Sequence, residues 1–101
     1  MNRLSIQNHL LVCLSEEGSE VTQACCKALR FGLQDGQPKY DNRTNIDLVC
    51  DEVNDLIGVL ELLQENSVLP KVVLNRVAIN AKKAKVRKYM EYAMDRGCIN
   101  P

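Results

Sequence analysis

The chain has no tryptophan, one phenylalanine and three tyrosines among its 101 residues. A core built on aromatic packing is therefore excluded. Leu, Val, Ile, Ala and Cys have to supply the apolar area, a choice that suits helix packing and points to area borrowed from a second subunit. A single histidine, His9, excludes a di-iron helical bundle, which needs two Glu-x-x-His pairs. His9 itself reads as a polar residue on a helix face. The five cysteines are odd in number, two of them adjacent, and none forms a Cys-x-x-Cys pair. They make neither a disulfide framework nor a zinc motif, and are expected as buried free thiols in a reducing, cytoplasmic compartment. Long apolar runs are missing as well. Leu10 to Leu14 is brief and meets acids at once, so neither a signal peptide nor a membrane span is expected. Formal net charge is zero, which removes any global pull towards nucleic acid or anionic lipid.

What remains is helical periodicity. A first helix is expected from about Ser5 to Phe31, ended by Gly32. A loop over about 32–44 contains the turn formers Gly36, Pro38 and Asn42. Thr44 or Asn45 can cap a second helix that runs to about Glu65. Asn66-Ser67 breaks the pattern. Pro70 suits the first turn of a basic helical segment over about 70–96 that carries Val72, Val73, Val77 and Ile79, with Gly97 after it. No strand alternation and no repeat occurs. The fold class is all-α, a small helical bundle in one domain over 1–101.

Two acidic clusters stand out, Glu16-Glu17-Gly18-Ser19-Glu20 and Glu52-Val53-Asn54-Asp55. At about 100° per residue, Leu48, Val49, Leu56, Val59 and Leu63 lie within about 60° of Glu52, and Asp55 stands about 60° to one side. Asp51 and Glu61 point elsewhere and read as solvated acids. Carboxylates on an apolar face are costly unless protonated, paired or bound to a cation. On the first helix an apolar stripe of Leu10, Leu14, Val21 and Cys25 is bordered by Glu17. Glu16 and Glu20 share the adjoining face with His9, Cys13 and Lys27. Oxygen-only donors from both helices suit a hard divalent ion. Taken alone, the first cluster is as readily a solvated acidic turn.

From Lys71 to Tyr89 the chain carries seven basic residues and no acid, so the neutral total hides an asymmetry. Most of these lysines read as a solvated face, and a few as partners for phosphates. Nucleic-acid binding ranks lower, because interleaved aromatics and a reader motif are lacking.

Glu16-Glu17-x-x-Glu20 followed by Glu52-x-x-Asp55, both on helices, resembles the signature of the MazG-like all-α nucleoside triphosphate pyrophosphohydrolases. The leucines of Leu10-Leu11-Val12-Cys13-Leu14 ahead of the acids belong to the likeness. Asn80-x-x-Lys83, followed by Arg87, is similar to a weaker third motif. The likeness covers roughly residues 6–88, and its spacer is slightly longer than is common in that family. It implies hydrolysis of a nucleoside triphosphate to the monophosphate and pyrophosphate with Mg2+, for which Mn2+ can substitute. The residues it implies are Glu17, Glu20, Glu52 and Asp55 as metal ligands, Glu16 as the catalytic group that positions or deprotonates water or else binds a second ion, and Asn80, Lys83 and Arg87 as phosphate contacts, with a place near the nucleobase as the functional alternative for His9. It further implies a bundle completed by assembly into a homodimer or homotetramer, with no membrane role. Phosphoribosyl-ATP pyrophosphatase activity is the nearest enzymatic alternative. A helical adaptor or nucleic-acid-binding protein is the non-enzymatic one.

Overall fold

The computed structural model describes residues 3–36, 42–70 and 74–100. Three helices account for most of them: α1 (Ile6–Phe31), α2 (Asn45–Glu65) and α3 (Arg76–Asp95). No strand occurs among the described residues, and the all-α class holds. None of these helices is long and apolar enough to cross a membrane.

Each helix begins where its sequence supplies a cap. Ser5 accepts from the Asn8 amide at 3.0 Å. Thr44 and Asp47 form a reciprocal capping box, with Thr44 N–H donating to Asp47 Oδ2 at 2.9 Å and Asp47 N–H to Thr44 Oγ1 at 3.3 Å. These bonds hold the Asp47 carboxyl below its ordinary pKa. Asn75 accepts from the Ala78 amide and starts α3 at Arg76. The expected start near Pro70 is thus corrected. Pro70 is compatible with a first turn, but Asn75 satisfies a free amide at the helix entry, and Leu74 stays outside the helix. Val72 and Val73 lie outside the described residues. At the other end of α1, Gly32 takes φ 101° and donates to Ala28 O, a conformation few other residues adopt readily.

The chain divides into two units, Met1–Lys71 and Val72–Pro101. In the first, α1 and α2 form an antiparallel hairpin. Its closed end is sewn by Asn45, whose side chain donates to Gly32 O at 2.8 Å and whose N–H donates to Asp35 O at 2.7 Å. Ile46 N–H adds a bond to Leu33 O at 3.0 Å. Asn45 is 2% exposed, so these bonds form away from water.

The inward positions of α1 are Leu10, Leu14, Glu17, Val21, Ala24 and Ala28; those of α2 are Asn45, Val49, Glu52, Leu56, Val59 and Leu63. Both sets alternate steps of three and four, the spacing of a two-helix seam. Ala24 and Ala28 are small enough to let α2 approach closely. The α1 stripe is centred nearer Glu17 than the sequence suggested. Cys25 falls off its edge and is exposed, as are Cys26, Cys50 and Cys98, while Cys13 is half-buried. The expectation of buried thiols is corrected accordingly: the core is aliphatic, and alanines fill the places assigned to cysteine.

The second unit contains α3. Ile79, Ala93 and Met94 are its half-buried side chains, and its basic residues, Lys83 and Arg87 included, are exposed.

Candidate metal centre

Glu17 and Glu52 each occupy an inward position of the seam, where a leucine would otherwise sit. Both are half-buried. Asp55, one turn beyond Glu52, is exposed at the seam's edge, not under the apolar face as its spacing suggested. One carboxylate oxygen from each of Glu17, Glu52 and Asp55 falls in a group whose members all lie within 4.8 Å of one another. Oxygens around a magnesium-sized ion stand about 2.1 Å from it, hence up to about 4.2 Å apart. Small rotations of these flexible side chains close that difference. All three donors are oxygens, the chemistry a hard cation takes.

The electrostatics agree with the packing. Partial burial pushes the Glu52 carboxyl above its ordinary pKa, and the charges of Glu20, Asp55, Glu17 and Asp51 push the same way. A cation among them would reverse both effects.

Beside the trio lies a cleft of about 440 Å³, which Glu52 and Asp55 share with Glu20 and Asp51. Glu20 therefore faces the same space without belonging to the close trio. Glu16 is exposed and stands outside both the trio and the cleft lining. Asn80, Lys83 and Arg87 are exposed on α3 in the second unit.

Two cations missing from the expected site line the cleft, Lys27 of α1 and Arg43 of the loop before α2. Arg43 Nη2 donates to Asp51 Oδ2 at 2.7 Å and to Asp47 O at 3.3 Å. The bond to Asp51 and that residue's charge raise the Arg43 pKa further above its already high value. Asp51, expected as a solvated acid, is thus the holder of Arg43. Lys27 was legible in outline, since the helical wheel places it on the face of Glu16 and Glu20. Arg43 carried no such signal, because its position follows from how a loop of turn formers closes. Gly36 takes part in that closure: a Cβ there would stand 2.6 Å from Arg43 O, closer than side-chain carbons come to backbone oxygen.

No family model, no curated protein and no solved structure matches the chain.

Proposed function

We propose that the protein hydrolyses a nucleoside triphosphate to the nucleoside monophosphate and pyrophosphate with Mg2+, or Mn2+ in its place. The observation that carries this reading is the meeting of Glu17, Glu52 and Asp55 within 4.8 Å at the seam of two helices. Acids at inward positions weaken a hairpin, and a cation makes them tolerable. The likeness of both acidic motifs to the MazG-like enzymes supplies the reaction.

Glu17, Glu52 and Asp55 would hold the ion, and Glu20, on the cleft wall, is the further ligand that the likeness implies. Held there, a divalent ion would offset charge on the triphosphate and make water more acidic. The likeness gives the role of orienting the attacking water or taking its proton to Glu16, which is exposed on α1 one residue before Glu17. The water oxygen bonds to the α-phosphorus, the bond from that phosphorus to the bridging oxygen breaks, and pyrophosphate leaves with the electron pair. Lys27 and Arg43 offset phosphate charge within the cleft; Asn80, Lys83 and Arg87 are phosphate contacts only as the likeness implies them. The working form is a homodimer or homotetramer in the cytoplasm, free of membrane.

Pyrophosphate release from a panel of ribo- and deoxyribonucleoside triphosphates tests the reading. Turnover of at least one of them, dependent on Mg2+ or Mn2+, is expected. Folded protein inactive with both ions overturns it, and orthophosphate as first product places the attack at the γ-phosphorus instead.

A further inference from the structure

His9 and Cys13 stand one turn apart on α1, and their side chains meet. Cys13 Sγ lies 3.7 Å from His9 Nε2. His9 is exposed and Cys13 half-buried, so solvent ions can reach the pair. The carboxylate centre uses neither residue. Its donors are all oxygen, whereas imidazole nitrogen and thiolate sulfur are the donors that zinc and similar borderline-soft ions take.

The distance itself is informative. In a tetrahedral site with Zn–N near 2.0–2.1 Å and Zn–S near 2.3 Å, nitrogen and sulfur on neighbouring vertices stand about 3.6 Å apart. His9 and Cys13 stand at a comparable 3.7 Å, as hydrogen-bond partners on a 26-residue helix. The backbone fixes the spacing, so chelation requires little more than a side-chain adjustment. His9 is the chain's single histidine, and Cys13 is therefore the one cysteine with an imidazole one helical turn away.

We propose that His9 Nε2 and Cys13 Sγ form a second metal site, which chelates a zinc-class divalent ion independently of the carboxylate centre. On binding, the thiol proton leaves to solvent and the sulfur donates as thiolate. The imidazole donates its Nε2 lone pair and keeps its proton on Nδ1. Two protein donors are fewer than the three or four of dedicated zinc sites, so the site is weak and labile, with its remaining positions filled by solvent. The two centres sort ions by chemistry. Magnesium prefers oxygen donors and holds its waters, so it does not compete for the thiolate.

The test is a titration of the whole protein, kept reduced without thiol reagents, first with Co2+ alone and then with Zn2+ as competitor. A near-ultraviolet thiolate-to-cobalt absorption is expected, saturating at one equivalent, lost on adding Zn2+ and unchanged by excess Mg2+. Cys13→Ser abolishes the band. His9→Ala weakens Co2+ binding at least about tenfold, since it removes the chelate's second, effectively intramolecular contact. Cys25→Ser, Cys98→Ser and Glu52→Gln leave it intact. His9 is exposed, so its variant keeps the fold, and helical circular dichroism confirms this for each protein. Three results overturn the proposal: a band that survives in Cys13→Ser, an affinity unchanged in His9→Ala, which would mean a simple thiol, or displacement of Co2+ by Mg2+.

Discussion

Glu52 is where the packing and the chemistry conflict most directly. Its neighbours along the inward face of α2 are Val49, Leu56 and Val59, yet it carries a carboxylate pushed above its ordinary pKa by burial and by surrounding acids. Because the folded-state pKa is the higher one, the native state favours the protonated form. Ionised Glu52 costs nothing below the ordinary carboxylate range and its full penalty above the raised value. Without metal, the protein should therefore lose stability as pH rises through that window, and Glu52→Gln should flatten this part of the profile. The amide is nearly isosteric and uncharged, so the metal-free variant should melt no lower than wild type at neutral pH. Turnover should fall by more than the roughly 10–100-fold that loss of a merely supporting contact costs. Magnesium at about 100 times its dissociation constant should stabilise wild type by about 2.7 kcal/mol and the variant by much less. Thermal melts across pH, with and without magnesium, check the three stability expectations and a turnover assay the fourth; equal magnesium shifts in both proteins would remove Glu52 from the proposed centre. Arg43 can be tested in the same way. Its pair with Asp51 is half exposed, 48% on each side, so it contributes little to folding. Arg43→Ala should leave the melting temperature near wild type and raise KM about tenfold or more, through the loss of a charge-assisted phosphate contact. Arg43→Lys should recover part of that loss. A changed melt with an unchanged KM would make Arg43 a structural residue.

The elements show why some of this was legible and some was not. Apolar spacing and caps are local, and they placed α1 and α2 to within about a residue, with Thr44 at the cap of the second. The face of α2 was equally readable, because Leu48, Leu56, Val59 and Leu63 leave little doubt which side turns inward. The face of α1 was less so. Its stripe mixes Ala24 and Ala28 with polar neighbours, and a wheel weighted by large side chains drifts towards Cys25 and away from Glu17. The start of α3 was misplaced because Pro70 and Asn75 both satisfy entry rules, and only one of them is used. Asn45 could be read as a cap but not as a latch, since its role depends on the path of the loop. Asn45→Ala removes the bond to Gly32 O and leaves that carbonyl without this partner. It also removes Asn45 Oδ1, a buried atom with no partner among the described residues. These effects partly offset each other, so a loss near 1–2 kcal/mol is expected from chemical denaturation. The apparent cleft affinity should weaken with it, because Arg43 sits two residues before Asn45. A destabilisation below a few tenths of a kcal/mol would mean that the latch contributes nothing to closure.

For the whole molecule, the deciding feature is how little the single chain buries. Among the described residues the buried side chains are Ala24, Ala28, Leu63 and Asn45, a thin interior for a chain of 11.4 kDa. Apolar side chains lie on the surface instead. Val53 is 38% and Ile57 40% exposed, one turn apart on α2 and about 100–140° round from Glu52. They face away from the seam, so α1 does not cover them. A cooperative fold needs more apolar burial than one seam supplies, particularly when two of its inward positions are acids. A second copy offering the same face would cover Val53 and Ile57 by symmetry. The expected species is at least a dimer, with a solution mass a multiple of 11.4 kDa and a melting temperature that rises with protein concentration. Ile57→Glu places a charge on the face away from the carboxylate trio. It should shift the mass towards the monomer and lower the melt, while the aliphatic swap Ile57→Leu should keep both near wild type. Multi-angle light scattering and melts over a hundredfold range of concentration separate the outcomes. A wild-type mass of one chain at micromolar concentration, with a concentration-independent melt, would mean that the hairpin and α3 are stable without a partner.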